Sequence, residues 1–223
     1  MNKKELLAGL PLFLGMTDSD LETAAAMVQI VTRRYGRQRV VATDGERCGS
    51  LCFLCEGQLA ATSFSLDRGY SIVETLSAPD MLQPERLFGL SQLFTKTFTA
   101  LTPCTILAIS KGDTARLVER FIIFRLNLLN ILSTQAQKAN RTLWRSRPDG
   151  TRRRITHFIE SHCSYPAGRK TVNITMQRLA DEVHESRLNV SRQLNAMHSE
   201  GLITLRRSEI VVPALERLLA RQD

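Results

Sequence analysis

Residues 174–212 read ITMQRLADEVHESRLNVSRQLNAMHSEGLITLRRSEIVV, and their punctuation decides the fold of the C-terminal third. Thr175 suits a helix N-cap, and Leu179, Ala180 and Val183 follow at helical spacing as an inward face. His184-Glu185 leaves room only for a tight turn. Ser186 caps a second helix with Val190, Leu194 and Met197 inward, and Gly201 ends it. Two short strands follow, Leu202 to Leu205 and Ile210 to Val212, with the polar Arg206-Arg207-Ser208-Glu209 as the tip between them. Helix, tight turn, helix and hairpin is the winged helix-turn-helix pattern.

On the second helix the inward residues leave Arg187, Leu188, Ser191, Arg192 and Asn195 facing out. Arg187 stands at the N-terminal end, the part that enters a major groove first. Its planar fork suits the O6 and N7 acceptors of guanine. Arg192 reaches a base edge or a phosphate, and Ser186 belongs to the same surface. Arg206 and Arg207 at the wing tip suit phosphates, which position a protein but carry no sequence information. Thr175, Gln177 and Arg178 at the start of the first helix are further phosphate candidates. Arginine on an exposed helix is commonplace. The order of elements, the caps and the charge of this half carry the inference to duplex DNA.

That charge is uneven. Of 223 residues, 1–137 hold 14 basic and 13 acidic side chains, whereas 138–223 hold 16 and 9. A near-neutral front and a basic back indicate two domains, the second facing a polyanion. Hydrophobic residues at 43% support packed cores, and 6% aromatics make them aliphatic. Phe121 to Leu132, the most apolar stretch, contains Arg125, Asn127 and Asn130 and falls short of a membrane span. Near the N-terminus, Glu5 and Pro11 interrupt a signal-like run, and Thr17 with Asp20 reads as a helix start. A cytoplasmic protein with reduced thiols is expected.

After a helix over about Asp18 to Gln29, segments rich in Val, Ile, Leu, Thr and Phe alternate with turns at Asp44-Gly45, Glu56-Gly57, Asp67-Arg68-Gly69, Pro79-Asp80 and Thr102-Pro103. This spacing predicts a small antiparallel β-barrel or sandwich ending near Ile106 to Ile109. Asp113 to about Arg145 lacks Pro and Gly and predicts one long helix, roughly 50 Å at 1.5 Å per residue. Phe121, Phe124, Leu128 and Ile131 form one apolar stripe; Ile122, Leu129, Leu132, Ala136, Ala139 and Leu143 form the adjacent one. Such a helix could be an ordinary core helix on its own barrel; its length favours the expectation that it also packs on the same helix of a second subunit. Ser146 to Gly150 reads as a hinge, and a helix follows over about Thr151 to Cys163.

Ile174 to Val183, Ser186-Arg-Leu-Asn-Val-Ser-Arg192 and Gly201-Leu-Ile together resemble the DNA-binding domain of the CRP/FNR family of bacterial regulators. Leu12-Phe-Leu-Gly-Met-Thr17, Asp44-Gly45-Glu46 and Glu56-Gly57 resemble that family's opening helix and early β-turns. The resemblance implies an α+β fold: an antiparallel β-roll of the cyclic-nucleotide-binding type over 1–110, a long dimerisation helix and hinge over 111–147, and the winged helix over 148–223. It also implies a homodimer on a palindromic operator, with RNA polymerase as a partner if the protein activates. The dimer seam falls on Phe121, Phe124, Leu128, Leu129, Leu132, Ala136, Ala139 and Leu143. The hinge then sets the spacing of two recognition helices, which must sit ~34 Å apart.

Three departures stand out. The family's recognition-helix glutamate falls on Leu188, which cannot accept from cytosine N4 but can touch a thymine methyl. His184 occupies a position where the family often has glycine, tolerable because His visits the left-handed region readily. Cyclic-AMP binders of the family hold the phosphate with Gly-Glu and, some ten residues on, Arg-Ser/Thr-Ala. The matching stretch here runs from Pro84-Glu85-Arg86-Leu87 to Leu93-Phe94-Thr95-Lys96, so the arginine position falls on Phe94. Glu85, Arg86, Thr95, Lys96 and, on the long helix, Asn140 remain as effector candidates. Lys96 would face opposite to Thr95 in a strand and is a point charge, not a fork. An anionic phosphate beside Glu85 without the arginine is costly, so cyclic AMP is not the expected ligand.

Cys48, Cys52, Cys55 and Cys104 invite a metal or cluster. In a strand, Cys52 and Cys55 point to opposite sides, and buried structural thiols are the expectation. His157, His162 and Cys163 do not share a helix face. No metal ligand set and no catalytic set is assigned, so an enzyme is not expected. Two alternatives remain: a thiol- or metal-sensing DNA-binding regulator, and a ligand-binding adaptor whose winged helix contacts protein.

Overall fold

The computed structural model describes residues 3–143 and 148–221, with 141–143 described by backbone alone. In chain order the elements are α1 (Lys3–Ala8), a 3-10 turn (Pro11–Phe13), α2 (Asp18–Met27), β1 (Ile30–Tyr35), β2 (Val40–Ala42), β3 (Ser50–Glu56), β4 (Gln58–Phe64), β5 (Ser71–Ser77) and β6 (Asp80–Leu82). A second 3-10 turn (Pro84–Arg86) leads to β7 (Thr97–Ala100), β8 (Cys104–Ser110), α3 (Lys111–Arg120) and α4 (Ile122–Leu143). The rest comprises α5 (Thr151–Ser161), β9 (Lys170–Asn173), α6 (Met176–Val183), α7 (Arg187–Ser199), β10 (Thr204–Arg206), β11 (Glu209–Val212) and α8 (Leu215–Ala220).

Two compact units result: residues 1–59 with 76–143, and residues 60–75 with 144–223. The distal hairpin of β4 and β5 thus groups with the C-terminal part, although in sequence it lies inside the β-rich half.

In the first unit β1, β8, β3 and β6 form an antiparallel sheet in that order, and β2 pairs antiparallel with β7. Thr17 caps α2, its hydroxyl accepting from the Asp20 N–H at 3.2 Å. The Glu56-Gly57 turn requires glycine: φ is +87° there, and a Cβ would stand 2.4 Å from the Pro103 carbonyl oxygen. Phe13 stacks edge-on against Phe124 at 5.0 Å and lies 6.3 Å from Phe53, joining the 3-10 turn, α4 and β3 in one core. Asn127 fastens α4 to that turn by donating to the carbonyls of Leu12 and Leu14 at 3.1 and 2.9 Å.

The helix expected over 113–145 is two helices. Phe121 breaks it with extended φ and ψ of −112° and 110°. No Pro or Gly is responsible; burial of Phe121 and Phe124 overrides helix propensity. At 22 residues α4 is roughly 33 Å long rather than 50 Å. Phe121, Phe124 and Leu128, assigned above to a dimer seam, are buried core residues of their own unit. Ile122, Leu126 and Leu129 are about half exposed, at 52%, 46% and 51%. Leu132 is half-buried, Ala136 and Ala139 are exposed, and the side chain of Leu143 lies outside the described residues. So do Ser146 and Arg147 of the hinge; Pro148 to Gly150 are non-helical.

In the second unit the strands run β10-β11-β9-β5, all antiparallel. Their core joins Ile155, Phe158 and Ile159 of α5, Leu179 and Val183 of α6, Val190, Leu194 and Met197 of α7, Val172 and Val212 of the sheet, and Leu215 and Leu218 of α8. Neither β9 nor α8 has a counterpart in the sequence reading. Among the described residues no helix is long and apolar enough to cross a membrane.

Candidate nucleic-acid interface

Local chemistry places both helices of the candidate interface. Thr175 caps α6, accepting from the Arg178 N–H at 3.2 Å. Leu179, Ala180 and Val183 are buried, as their spacing predicts. His184 adopts the left-handed conformation at φ +51° and ends α6 in a turn tight enough for α7 to begin at Arg187. Ser186 caps α7, accepting from the Asn189 N–H at 3.1 Å. With Val190, Leu194 and Met197 inward, Arg187, Leu188, Arg192 and Asn195 stand exposed and Ser191 half-exposed. Leu188 is 68% exposed, a large apolar side chain with no part in the core.

Arg187 and Arg206 line one cleft of about 370 Å³ with Thr175, Gln177, Leu205 and Ser208. Residues from the start of α6, the start of α7 and the wing therefore converge on a single opening. The wing tip turns at Ser208, where φ is +55°. Arg206 is 65% exposed and pairs with Glu209 at 3.2 Å, and Arg207 is exposed beside it. Arg178 is placed differently. Its guanidinium pairs with Asp67 at 2.9 Å and Glu182 at 2.8 Å and lies over the Tyr70 ring, so it is already engaged within the protein.

Two positioning residues escape the sequence reading. Arg152 makes a forked pair with Glu200 at 2.7 and 2.6 Å, tying α5 to the end of α7 and holding the Glu200 carboxyl below its usual range. Arg154 donates to Glu185 at 3.0 Å and to the His184 carbonyl at 3.4 Å, clamping the turn between the helices. The run Arg152-Arg153-Arg154 is visible in the sequence, but its partners lie 48 and 31 residues away.

The effector candidates behave otherwise. Thr95 and Lys96 lie in a bend before β7, so the strand alternation expected for them does not apply. Gln83, which the sequence reading passes over, is left-handed at φ +41° and spans the loop. Its amide donates to Thr95 Oγ1 at 2.7 Å and Glu85 Oε1 at 3.3 Å, and its oxygen accepts from the Thr95 N–H at 3.0 Å. Arg86 lies 3.8 Å from Glu85. Phe94 is buried and packs edge-on against Phe98 at 6.0 Å. Asn140 stands exposed on α4.

Cys48 and Cys52 both direct Sγ at the Ser50 carbonyl, at 3.7 and 3.6 Å. Burial pushes the Cys52 thiol up to about 12 and raises Cys48, Cys55 and Cys104 as well, which opposes thiolate chemistry at neutral pH. Among the described residues no three His, Cys, Asp or Glu side chains are grouped closely enough to hold a metal ion.

Residues 32–121 match the cyclic nucleotide-binding domain family and residues 153–221 the Crp-like helix-turn-helix domain family. No curated protein matches the chain by sequence. Among solved structures, the catabolite activator protein of Thermus thermophilus is 21% identical, with 94% of this chain and 96% of that one covered and a TM-score of 0.52. The c-di-GMP-responsive regulator CLP of Xanthomonas campestris is 20% identical over 88% of this chain and 99% of its own, with a TM-score of 0.48. With both domain families present in order, and an antiparallel roll, a long helix and a winged helix-turn-helix built around them, the chain belongs to the CRP/FNR family of DNA-binding transcription regulators.

Proposed function

We propose that the protein is a cytoplasmic homodimer that reads a palindromic DNA operator and responds to an effector other than cyclic AMP, or to none. The observation that carries the DNA reading is the convergence of Thr175, Gln177, Arg187 and Arg206 on one cleft beside an exposed recognition-helix face. Backbone and hydroxyl donors at the start of α6 with Arg206 on the wing suit phosphates, while Arg187, Leu188, Ser191 and Arg192 face base edges. A self-complementary seam is supported by Ile122, Leu126 and Leu129, an apolar stripe on α4 left outside its own core. RNA polymerase is the further partner if the protein activates.

The effector reading rests on the loop of Gln83 to Lys96. Phe94 occupies the place of the phosphate-binding arginine and lies in the core, and Gln83 satisfies Thr95 and Glu85 from within. An added phosphate would have to displace those bonds and sit beside Glu85 without the usual fork.

Selection of bound duplexes from a random pool, with no ligand added, tests the reading. A two-fold symmetric consensus is the expected result. Enrichment only in the presence of cyclic AMP would overturn the effector assignment, and salt-independent binding would overturn the DNA assignment.

A further inference from the structure

The winged helix is completed by a strand from elsewhere in the chain. Residues 60–75 lie inside the matched cyclic nucleotide-binding domain, yet they belong to the same compact unit as the DNA-binding elements. β5 pairs antiparallel with β9 in the register Ser71 to Asn173, Ile72 to Val172, Val73 to Thr171 and Glu74 to Lys170. Ile72 is 2% exposed and sits in the winged-helix core. Tyr70 packs edge-on against Phe158 at 5.4 Å, and its hydroxyl lies 3.0 Å from His162 Nε2.

The fastening is ionic and fully buried. Glu74 is 0% and Lys170 1% exposed, and they meet at 2.9 Å. Both Glu74 oxygens accept from the Ser164 N–H at 3.0 Å, and Oε1 also from the Tyr165 N–H at 3.2 Å. One carboxylate thus satisfies an ammonium and two backbone donors out of water, where each would otherwise be costly. The site needs an acceptor: a cation or an apolar group at position 74 removes the carboxylate that both N–H groups donate to. β9 is also the strand on which β11 lies, and β11 carries the wing.

We propose that the hairpin of residues 60–75 is a working part of the DNA-binding unit, and that Glu74 is the positioning residue that docks it, ordering β9 and through β9 the wing. No DNA-facing side chain is involved, so Glu74 acts on DNA only through the strand it holds. The inference rests on the DNA-binding reading above for its functional half.

The test uses the full chain. Hydrogen exchange is followed at the amides of 170–173 and 209–212, and binding is measured on random-sequence duplex across a salt series. In Glu74→Ala we expect faster exchange in both strands, about tenfold weaker duplex binding and a shallower salt slope. The double variant Glu74→Gln with Lys170→Met keeps an acceptor for the Ser164 and Tyr165 N–H groups and removes the unpaired cation. It should recover most of both signals, whereas Glu74→Ala with Lys170→Met should not. If Glu74→Ala proves too unstable to purify, Tyr70→Phe, which removes only the contact to His162, should show the same changes at two- to threefold. Faster exchange with unchanged duplex binding would overturn the proposal, as would tighter binding, which would make docking inhibitory. Absence of duplex binding by the unaltered protein would overturn the DNA reading instead, while protection of 170–173 lost in Glu74→Ala would still support the docking.

Discussion

The helix-turn-helix and the loop from Gln83 to Lys96 treat their polar side chains in opposite ways. In the first, the folding work is done by Thr175, Ser186 and an apolar face, and the arginines of α7 point out of the molecule. In the second, Gln83 bonds to both Glu85 and Thr95, and Phe94 lies in the core. Side chains that do not fold the protein tolerate change, so Leu188, 68% exposed, can be substituted without structural consequence. In the loop the polar groups are partnered from within, by Gln83.

The largest effect should come from placing an arginine in that loop. Phe94→Arg puts a guanidinium where an aromatic ring packs against Phe98, at 5% exposure. Loss of the ring alone costs about 3–5 kcal/mol, and burying the charge adds to that. Urea unfolding should show at least that loss, and calorimetric titration should show no cyclic AMP binding. A stable Phe94→Arg protein that bound cyclic AMP would erase the contrast between the two regions. Next in size is Arg187→Ala, which should cost about 1–3 kcal/mol on the selected operator and relax one base position. Equal losses on operator and random duplex would make Arg187 a phosphate contact rather than a reader.

Legibility in the sequence follows the same divide. The caps at Thr17, Thr175 and Ser186, the left-handed His184 and the turn at Gly57 were readable because each is a local event with its own residue chemistry. The turn spacing likewise pointed to a small antiparallel β domain, and the family resemblance to a roll. What the sequence hides is set by distant partners. The break at Phe121 arises from burial in the core, not from any breaker. The Arg152–Glu200 and Arg154–Glu185 pairs look like surface charge until the helices are packed. β9 is four residues long, and its partners are β11 and a hairpin almost a hundred residues upstream. Gln83 carries no motif at all; only the left-handed backbone at that residue turns its amide toward Thr95.

Removing a cap tests whether the reading surface depends on its scaffold. Ser186→Ala takes away the acceptor of the Asn189 N–H and should destabilise the protein by about 1 kcal/mol. Operator binding should fall less than in Arg187→Ala, because the apolar face still seats α7. A larger loss of binding than of stability would assign the Ser186 hydroxyl a direct contact with DNA.

The smallest effect belongs to the wing. Arg206→Ala should weaken all duplexes alike, and the slope of log K against log salt should shrink by up to about 0.9, the contribution of one phosphate. The pair with Glu209 at 3.2 Å already offsets part of the charge that Arg206 can present, so the change should fall short of that limit. Glu209→Gln separates the two contributions. It leaves the guanidinium in place, removes its internal competitor and should steepen the salt dependence slightly. If Glu209→Gln instead weakens binding, the carboxylate is holding Arg206 in the geometry a phosphate needs, and the wing is a fixed contact rather than a diffuse patch of charge.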